Sequence, residues 1–177
     1  MNLAAAPSPY ATATAANAVR IERLLPGPIE RVWSYLTEGE LRRQWLASGD
    51  MELVVGAPFE LVWRNDELTD PPGRRPEGFG AEHRLQSRIT AVDPPHRLSF
   101  ARGEGEVSFA LEPRGAQVLL VVSHRGISDH PNLLRIGAGW HGHLDVLGAR
   151  LRGTAPKPFW DHWARLHAEY AQRLGPA

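Results

Sequence analysis

Apolar and polar residues alternate with a period of two through the middle of the chain, the pattern of β-strands that bury one face. Four such runs follow one another, over residues 82–92, 97–102, 106–112 and 117–125. The connections between them are short and rich in Pro and Gly, and such short connections force neighbouring strands to be antiparallel. The pattern therefore predicts an antiparallel meander with one apolar and one polar face.

The preceding part of the chain predicts further strands and two short helices. Residues 19–25, 51–54 and 59–63 have the residue types and the alternation of strands. Between the first and second of these, apolar residues recur at helical spacing over residues 29–36 and again over residues 38–46. The sheet would thus contain six to seven strands, with both short helices after its first strand.

A helical period returns near the C-terminus. One apolar stripe contains Leu133, Ile136, Trp140, Leu144, Leu147 and Leu151, and Gly153 ends it. A second helix is predicted over residues 159–174. The early helices are too short to cover the sheet, whereas the long stripe can, and strongly twisted sheets curl. We therefore expect an α+β fold in which a curved antiparallel sheet wraps a long C-terminal helix and leaves an apolar pocket.

Two segments show neither period. Residues 1–18, rich in Ala, Thr, Ser and Pro, are expected to form a disordered N-terminal tail, so that the domain spans residues 19–175. The connection over residues 65–80 is long for a compact domain, and loops of this length are usually functional or disordered. It is expected either to cover one end of the pocket or to form a solvated hairpin extension.

Composition excludes several classes of function. The chain has 177 residues, of which 42% are hydrophobic, enough for one sizeable core. Its 20 Lys and Arg residues balance its 20 Asp and Glu residues without a basic stripe, so no nucleic-acid partner is expected. The absence of cysteine removes disulfides and cysteine nucleophiles. With no export signal and no apolar run long enough for a membrane span, the expected location is the cytoplasm.

Two apparent motifs lack the structural context that they need. Residues 137–142 match the dinucleotide pattern GxGxxG, but that site requires a preceding strand and a parallel sheet. No cofactor is therefore expected, and the small residues would instead allow close packing or leave empty volume. Among the eight histidines, His141 and His143 would point to nearly opposite sides of a helix, so no metal site is expected.

Three stretches of sequence carry a resemblance to a known family. They lie within residues 21–46, over residues 89–100 (ITAVDPPHRLSF), and within residues 139–147. In this order they resemble the START-like superfamily, also called SRPBCC or helix-grip, and within it the AHSA1-like branch, named after the activator of Hsp90 ATPase homologue. The resemblance covers residues 19–173 and implies a helix-grip domain whose cavity can hold lipids, polyketides, hormones or other apolar molecules. Because the superfamily also contains enzymes and co-chaperone modules, the fold alone does not assign a function.

Aromatic residues are the most informative candidates for the pocket wall. Ligand pockets are lined mainly by apolar and aromatic groups, with a few polar groups that fix orientation. The predicted ligand-binding residues are Trp45, Phe59, Trp63, His83, Phe100, Trp140, His141 and Leu144. Trp33 and Phe109 are assigned to the core, and no residue is assigned a catalytic role.

Three functions from different classes are consistent with these observations. The first, which we favour, is non-enzymatic binding of a small hydrophobic or amphipathic molecule in an internal cavity. The second is a protein-interaction module. A chaperone partner is not expected, because the sequence has no room for the extra N-terminal domain of the eukaryotic co-chaperone. The third is an acid–base enzyme on polyketide-like or aromatic substrates, which needs His83, His124 or His141 to face the cavity near another polar group.

Overall fold

The computed structural model describes residues 6–176, and its centre is one curved sheet of seven antiparallel strands. The strands are β1 (Thr12–Ala15), β2 (Ala18–Pro26), β3 (Pro58–Trp63), β4 (His83–Asp93), β5 (Arg97–Arg102), β6 (Gly105–Arg114) and β7 (Gln117–Arg125). Their order across the sheet is β1-β2-β7-β6-β5-β4-β3. The predicted meander over the last four strands is confirmed, and β2 extends it by pairing with β7.

Within residues 6–176 four α-helices accompany the sheet: α1 (Ile29–Thr37), α2 (Gly39–Arg42), α3 (His130–Arg152) and α4 (Phe159–Arg173). A short 3-10 helix, Asn65–Glu67, follows β3. The long helix α3 begins where the Asp129 carboxylate accepts a hydrogen bond from the Asn132 N–H, at 2.9 Å. It ends at Gly153, whose φ of 69° is a left-handed conformation that glycine adopts without steric cost. No helix within residues 6–176 has the length and apolarity that crossing a bilayer requires.

The alternation along the strands decides which side chains face α3. On β7, Val118, Leu120, Val122 and His124 are buried, while the residues between them are more exposed. On β5, Leu98 and Phe100 are buried. The concave side of the sheet therefore presents a nearly continuous apolar surface to α3, and the predicted α+β helix-grip arrangement is confirmed.

The prediction of a disordered tail over residues 1–18 is wrong from Tyr10 onward. Residues 1–5 lie outside the range that the structure describes. Strand β1 forms a hairpin with β2, and Ala11 is buried. The Tyr10 hydroxyl donates a hydrogen bond to Glu169 at 2.8 Å. These tertiary contacts order a segment whose composition is typical of a tail.

Two predicted elements near the middle of the chain also differ. Residues 51–54 form a turn rather than a strand, because the Val54 N–H bonds to the Glu52 carbonyl at 2.8 Å and the Val54 side chain points to solvent. The second short helix ends at Arg42 instead of continuing to Leu46. Beyond it the bonding is mixed, because the Arg42 carbonyl accepts an i→i+3 bond from Trp45 N–H at 3.2 Å and an i→i+4 bond from Leu46 N–H at 2.9 Å.

Candidate functional site

A cavity of about 620 Å³ lies at one end of the concave side of the sheet, inside the usual range for small-molecule sites. It is bounded by the N-terminal half of α3, the start of α4, the ends of several strands and the loop of residues 65–80. Its apolar wall contains Leu46, Ile127, Ile136, Trp140, Phe159 and Trp163. Exposed residues, including His83 and Gly103, border it on one side, so the cavity is open to solvent there.

The small residues of α3 explain why this volume is empty. A Cβ atom added at Gly139 would meet no heavy atom within 4 Å, and Gly139 borders the cavity. At Gly137 the Tyr170 ring would lie 3.7 Å away, and at Gly142 the Phe159 ring would lie 3.4 Å away. Both alternatives considered for the glycine-rich stretch are therefore realised, with close packing at Gly137 and Gly142 and empty volume at Gly139.

The loop of residues 65–80 is a fixed wall of the cavity and not a solvated extension. The Trp160 indole N–H donates to Asp66 at 2.7 Å, and the Arg150 guanidinium donates to the Leu68 carbonyl at 2.7 Å. The Phe79 ring packs against Trp160 with a centroid separation of 5.1 Å. The loop thus covers one end of the cavity, as one of the two expectations stated.

One cationic side chain, Arg102 at the end of β5, lies in the polar part of the wall. Its guanidinium carbon is 5.1 Å from the centroid of the Trp63 ring, and it makes no ion pair with any residue in the range 6–176. Burial lowers the pKa of Arg102 below its ordinary value, with no acidic group acting against it. The guanidinium is therefore a partly desolvated charge that borders an open volume.

Two buried histidines border the same cavity and present opposite hydrogen-bonding groups to it. Burial lowers the pKa of His124 to about 3 and that of His143 to about 4, and the Arg102 charge acts in the same direction on both. Both rings are thus neutral near pH 7. The Trp140 indole N–H donates to His124 Nδ1 at 3.0 Å, so the His124 proton lies on Nε2. His143 Nδ1 donates to the Trp45 carbonyl at 2.8 Å, so its Nε2 is an acceptor.

Three of the eight predicted ligand-binding residues, Trp63, His83 and Trp140, border the cavity. His83 lies at its edge beside Trp63, with ring centroids 5.5 Å apart. Burial lowers the pKa of His83, and the Arg102 charge adds to that effect.

The other five predicted residues lie elsewhere, so their expected place in the wall is corrected. Trp45, Phe59, Phe100 and Leu144 are buried in the core. The Trp45 indole N–H donates a hydrogen bond to the Tyr35 carbonyl at 2.8 Å. Phe59 and Phe100 pack edge to face with centroids 5.8 Å apart. These aromatic rings fill the centre of the concave side, which confines the cavity to one end.

His141, the fifth of these residues, faces away from the cavity into a separate polar cluster. This cluster, which we call the Asp145 cluster, consists of Arg23, His141, Asp145, His162 and Tyr170. His162 Nε2 donates to Asp145 at 2.7 Å, Arg23 pairs with Asp145 at 3.2 Å, and His141 Nε2 lies 3.5 Å from the same carboxylate. Burial opposes ionisation of Asp145, but these neighbours hold its pKa below the ordinary value.

Two hydrogen bonds in the Asp145 cluster connect Ala11 to Tyr170 and Tyr170 to His141. The Ala11 N–H donates to the Tyr170 oxygen at 2.6 Å, and the Tyr170 hydroxyl donates to His141 Nδ1 at 2.9 Å. Burial lowers the pKa of His141 to about 4 and raises that of Tyr170 to about 12, so both groups are neutral near pH 7. The cluster joins the N-terminal segment to α3 and α4. No group of three or more potential metal ligands occurs among the residues that the structure describes.

Sequence reasoning missed Arg102 and His143 as part of the cavity wall. A signal for Arg102 was present, because it lies two residues after Phe100 on β5 and so shares the inward phase of the strand. His124 likewise continues the buried phase of Val122 on β7. No comparable signal exists for His143, because its access to the cavity depends on the empty volume beside Gly139.

A family profile described as Activator of Hsp90 ATPase homolog 1-like protein matches residues 26–152, most of the chain. The chain belongs to this AHSA1-like family. The family resemblance of the sequence is thereby confirmed. The matched range ends with α3, so α4, which supplies part of the cavity wall of this AHSA1-like domain, lies outside it.

Solved structures agree with this assignment. The solution structure of the protein encoded by gene BPP1335 from Bordetella parapertussis is 35% identical, with 99% of this chain and 96% of that chain covered and a TM-score of 0.78. CalU16 from Micromonospora echinospora shares the fold at 21% identity, with coverage of 90% and 89% and a TM-score of 0.64. EF2215 from Enterococcus faecalis does so at 20% identity, with coverage of 89% and 84% and a TM-score of 0.65. No curated protein matches this AHSA1-like sequence.

Proposed function

We propose that this AHSA1-like protein binds a small hydrophobic or amphipathic molecule in the cavity beside Gly139. The observation that supports the proposal most directly is the cavity itself, about 620 Å³ of open volume next to a glycine where a side chain would meet nothing. A helix position in a well-packed core normally carries a side chain, and glycine there costs about 1 kcal/mol of helix propensity. The cost is understandable if the volume serves a ligand.

The residues around the cavity suit binding better than acid–base catalysis near neutral pH. A general base is most effective when its pKa lies near the working pH, whereas the pKa values of His124 and His143 are about 3 and about 4. His141, one of the three histidines considered for catalysis, contacts Tyr170 and Asp145 away from the cavity. Trp63, His83 and Trp140 are the predicted residues that we retain as ligand contacts.

The surface lends no support to the alternative of a protein-interaction module. The exposed large hydrophobic residues in the described part of the chain are Val54 and Val55, next to each other in one turn. An interaction surface of the predicted kind needs a contiguous apolar patch of a few hundred Å².

The cytoplasmic location inferred from the sequence stays a prediction.

Filling the cavity from α3 tests the proposal. The series Gly139→Ala, Gly139→Val and Gly139→Leu places progressively larger side chains in the open volume. Titration with the neutral fluorescent probe N-phenyl-1-naphthylamine should give affinities that fall with side-chain size, by about tenfold or more for Gly139→Leu. Melting temperatures should stay constant or rise, because each replacement residue has a higher helix propensity than glycine.

Gly137→Ala is the matched control, because it adds a methyl group against Tyr170 on the same helix but outside the cavity. Its affinity for the probe should equal that of the unmodified protein. If the probe binds equally well to Gly139→Leu, or does not bind the unmodified protein, the cavity is not a binding site for apolar molecules.

A further inference from the structure

The cavity wall contains a positive charge that the protein itself leaves without an acidic partner. Arg102 is half-buried, and its one described charge-related contact is with the Trp63 ring. Two other arginines, one buried and one half-buried, each use guanidinium nitrogens for several hydrogen bonds to the protein, although Arg42 Nε has no partner within residues 6–176. The Arg42 guanidinium bonds to the carbonyls of Leu36 and Thr37, and that of Arg23 bonds to the Pro9 carbonyl and to Asp145. Arg102 is thus an exception that needs a physical reason.

The acidic residues at the cavity do not supply that reason. Glu82 is held by Arg64 and Arg84, at 2.9 and 2.6 Å, on the outer side of the cavity. Glu77 is exposed in the loop. A second cation, Arg135 of α3, also borders the cavity and is exposed. The charge that faces the inner part of the cavity is therefore positive.

A neutral hydrogen-bond donor accompanies this charge. His124 carries its proton on Nε2, because Nδ1 accepts the bond from Trp140, and Nε2 has no partner within residues 6–176. Arg102, His83, His124 and His143 all border the same cavity. An anionic oxygen that binds Arg102 in the cavity would therefore find a histidine N–H donor in the same wall.

We propose that the ligand carries one anionic oxygen group, a carboxylate or a sulfonate, that pairs with Arg102 while its apolar body packs against Trp140, Phe159 and Trp163. This inference rests on the proposed function and narrows it to amphipathic acids. The apolar wall provides affinity, and the guanidinium fixes orientation by charge and by its planar pair of donors. Because the guanidinium is half-buried, such a pair is stronger than one between fully exposed groups.

Two dyes that differ by a sulfonate test the inference on the full chain. 1-Anilinonaphthalene-8-sulfonate carries the anionic group, and N-phenyl-1-naphthylamine has the same rings without it. The unmodified protein should bind the sulfonate more tightly, and Arg102→Met should weaken that binding by roughly 10- to 100-fold while changing the affinity for the neutral dye little. Arg102→Lys, which keeps the charge but loses the planar fork, should fall between the two.

The control is Arg97→Met, which removes an exposed arginine at the opposite end of β5, away from the cavity. It should leave both affinities unchanged. Equal binding of the two dyes to the unmodified protein, or equal weakening of both by Arg102→Met, overturns the anion inference but leaves the binding function intact. Failure of both dyes to bind removes the proposed function as well.

A folding check and a competition with inorganic sulfate complete the experiment. If Arg102→Met does not fold, as judged by circular dichroism, the comparison of the two dyes on the unmodified protein and on Arg102→Lys decides. If inorganic sulfate displaces the sulfonate dye at constant ionic strength, the wall binds a free oxyanion, and the inference of an amphipathic ligand is wrong.

Discussion

An arginine and a histidine lie on each of the two sides of α3, but only on one side do both have polar partners within the protein. On one side, the Asp145 cluster brings Arg23 and His141 together with a carboxylate and a tyrosine hydroxyl, and each of these groups has a polar partner in the protein. On the other side, Arg102 and His124 border an open cavity, and neither the guanidinium nor the Nε2 proton has a partner within residues 6–176.

The two sets of polar groups differ in how completely they are hydrogen-bonded within the protein. Buried polar groups are normally hydrogen-bonded, because leaving them unpaired costs about 1–3 kcal/mol each. The Asp145 cluster follows this rule and holds the N-terminal segment against α3 and α4. Arg102 and His124 border open volume, and the Arg102 guanidinium and His124 Nε2 have no such partners within residues 6–176. Two buried atoms, Arg42 Nε and Asn65 Oδ1, also lack a partner there. The first set holds elements of the fold together, whereas the second set is free to contact a molecule in the cavity.

Acidification is expected to have the largest effect, because buried histidines occur on both sides of α3. In the folded chain burial holds the pKa of His124 at about 3 and those of His141 and His143 at about 4, below the ordinary value of 6.5. The unfolded chain therefore binds more protons as the pH falls from about 6.5 towards 4. Stability that is fully present above about pH 6.5 is lost through this window, by up to about 3 kcal/mol per histidine.

Urea unfolding across this pH range measures the effect on the free energy of unfolding. The slope of the free energy of unfolding against pH reports how many protons the chain takes up on unfolding. Replacing one histidine from each side, as His141→Gln and His143→Gln, should lower that number by about one in each case. A free energy of unfolding that stays constant between about pH 7 and 4 would contradict the burial of these rings as neutral groups.

Replacing one arginine from each side compares the two regions directly. Arg23→Met removes the bonds to Asp145 and to the Pro9 carbonyl, and should lower the free energy of unfolding by about 2 kcal/mol. Arg102→Met removes a desolvated charge without a protein partner, and should change stability by less than about 0.5 kcal/mol or increase it. Chemical denaturation of both variants gives the comparison. Equal losses would mean that Arg102 also has a structural role.

A smaller effect is expected for the hydroxyl that connects the Asp145 cluster to the N-terminal segment. Tyr170→Phe removes the acceptor of the Ala11 N–H and the donor to His141, and should cost about 1–2 kcal/mol. Tyr35→Phe is the matched control, because the Tyr35 hydroxyl makes no hydrogen bond within residues 6–176, and its cost should stay below about 0.5 kcal/mol. Thermal melts of the two variants measure the difference. Equal melting temperatures would show that the cluster does not hold the segment.

The sequence predicted most of the fold, because the relevant signals are local. Strand alternation on β4 to β7, the long apolar stripe of α3 and the left-handed stop at Gly153 each depend on a few neighbouring residues. The errors occur where a distant partner decides the outcome. Residues 12–15 form a strand because β2 offers them a free edge, and residues 51–54 turn away from the sheet although their composition favours a strand.

For the candidate site too, local sequence signals predicted some features and distant contacts decided the others. Strand alternation puts Trp63 and His124 on inward-facing positions, and the helical apolar stripe does the same for Trp140. The sequence therefore determined that aromatic and polar groups face the concave side of the sheet. Whether that interior is filled depends on the summed volumes of side chains from strands, helices and a long loop. Only the tertiary structure decided that Trp45 and Phe100 fill the centre and that Gly139 leaves one end open beside an unpaired Arg102.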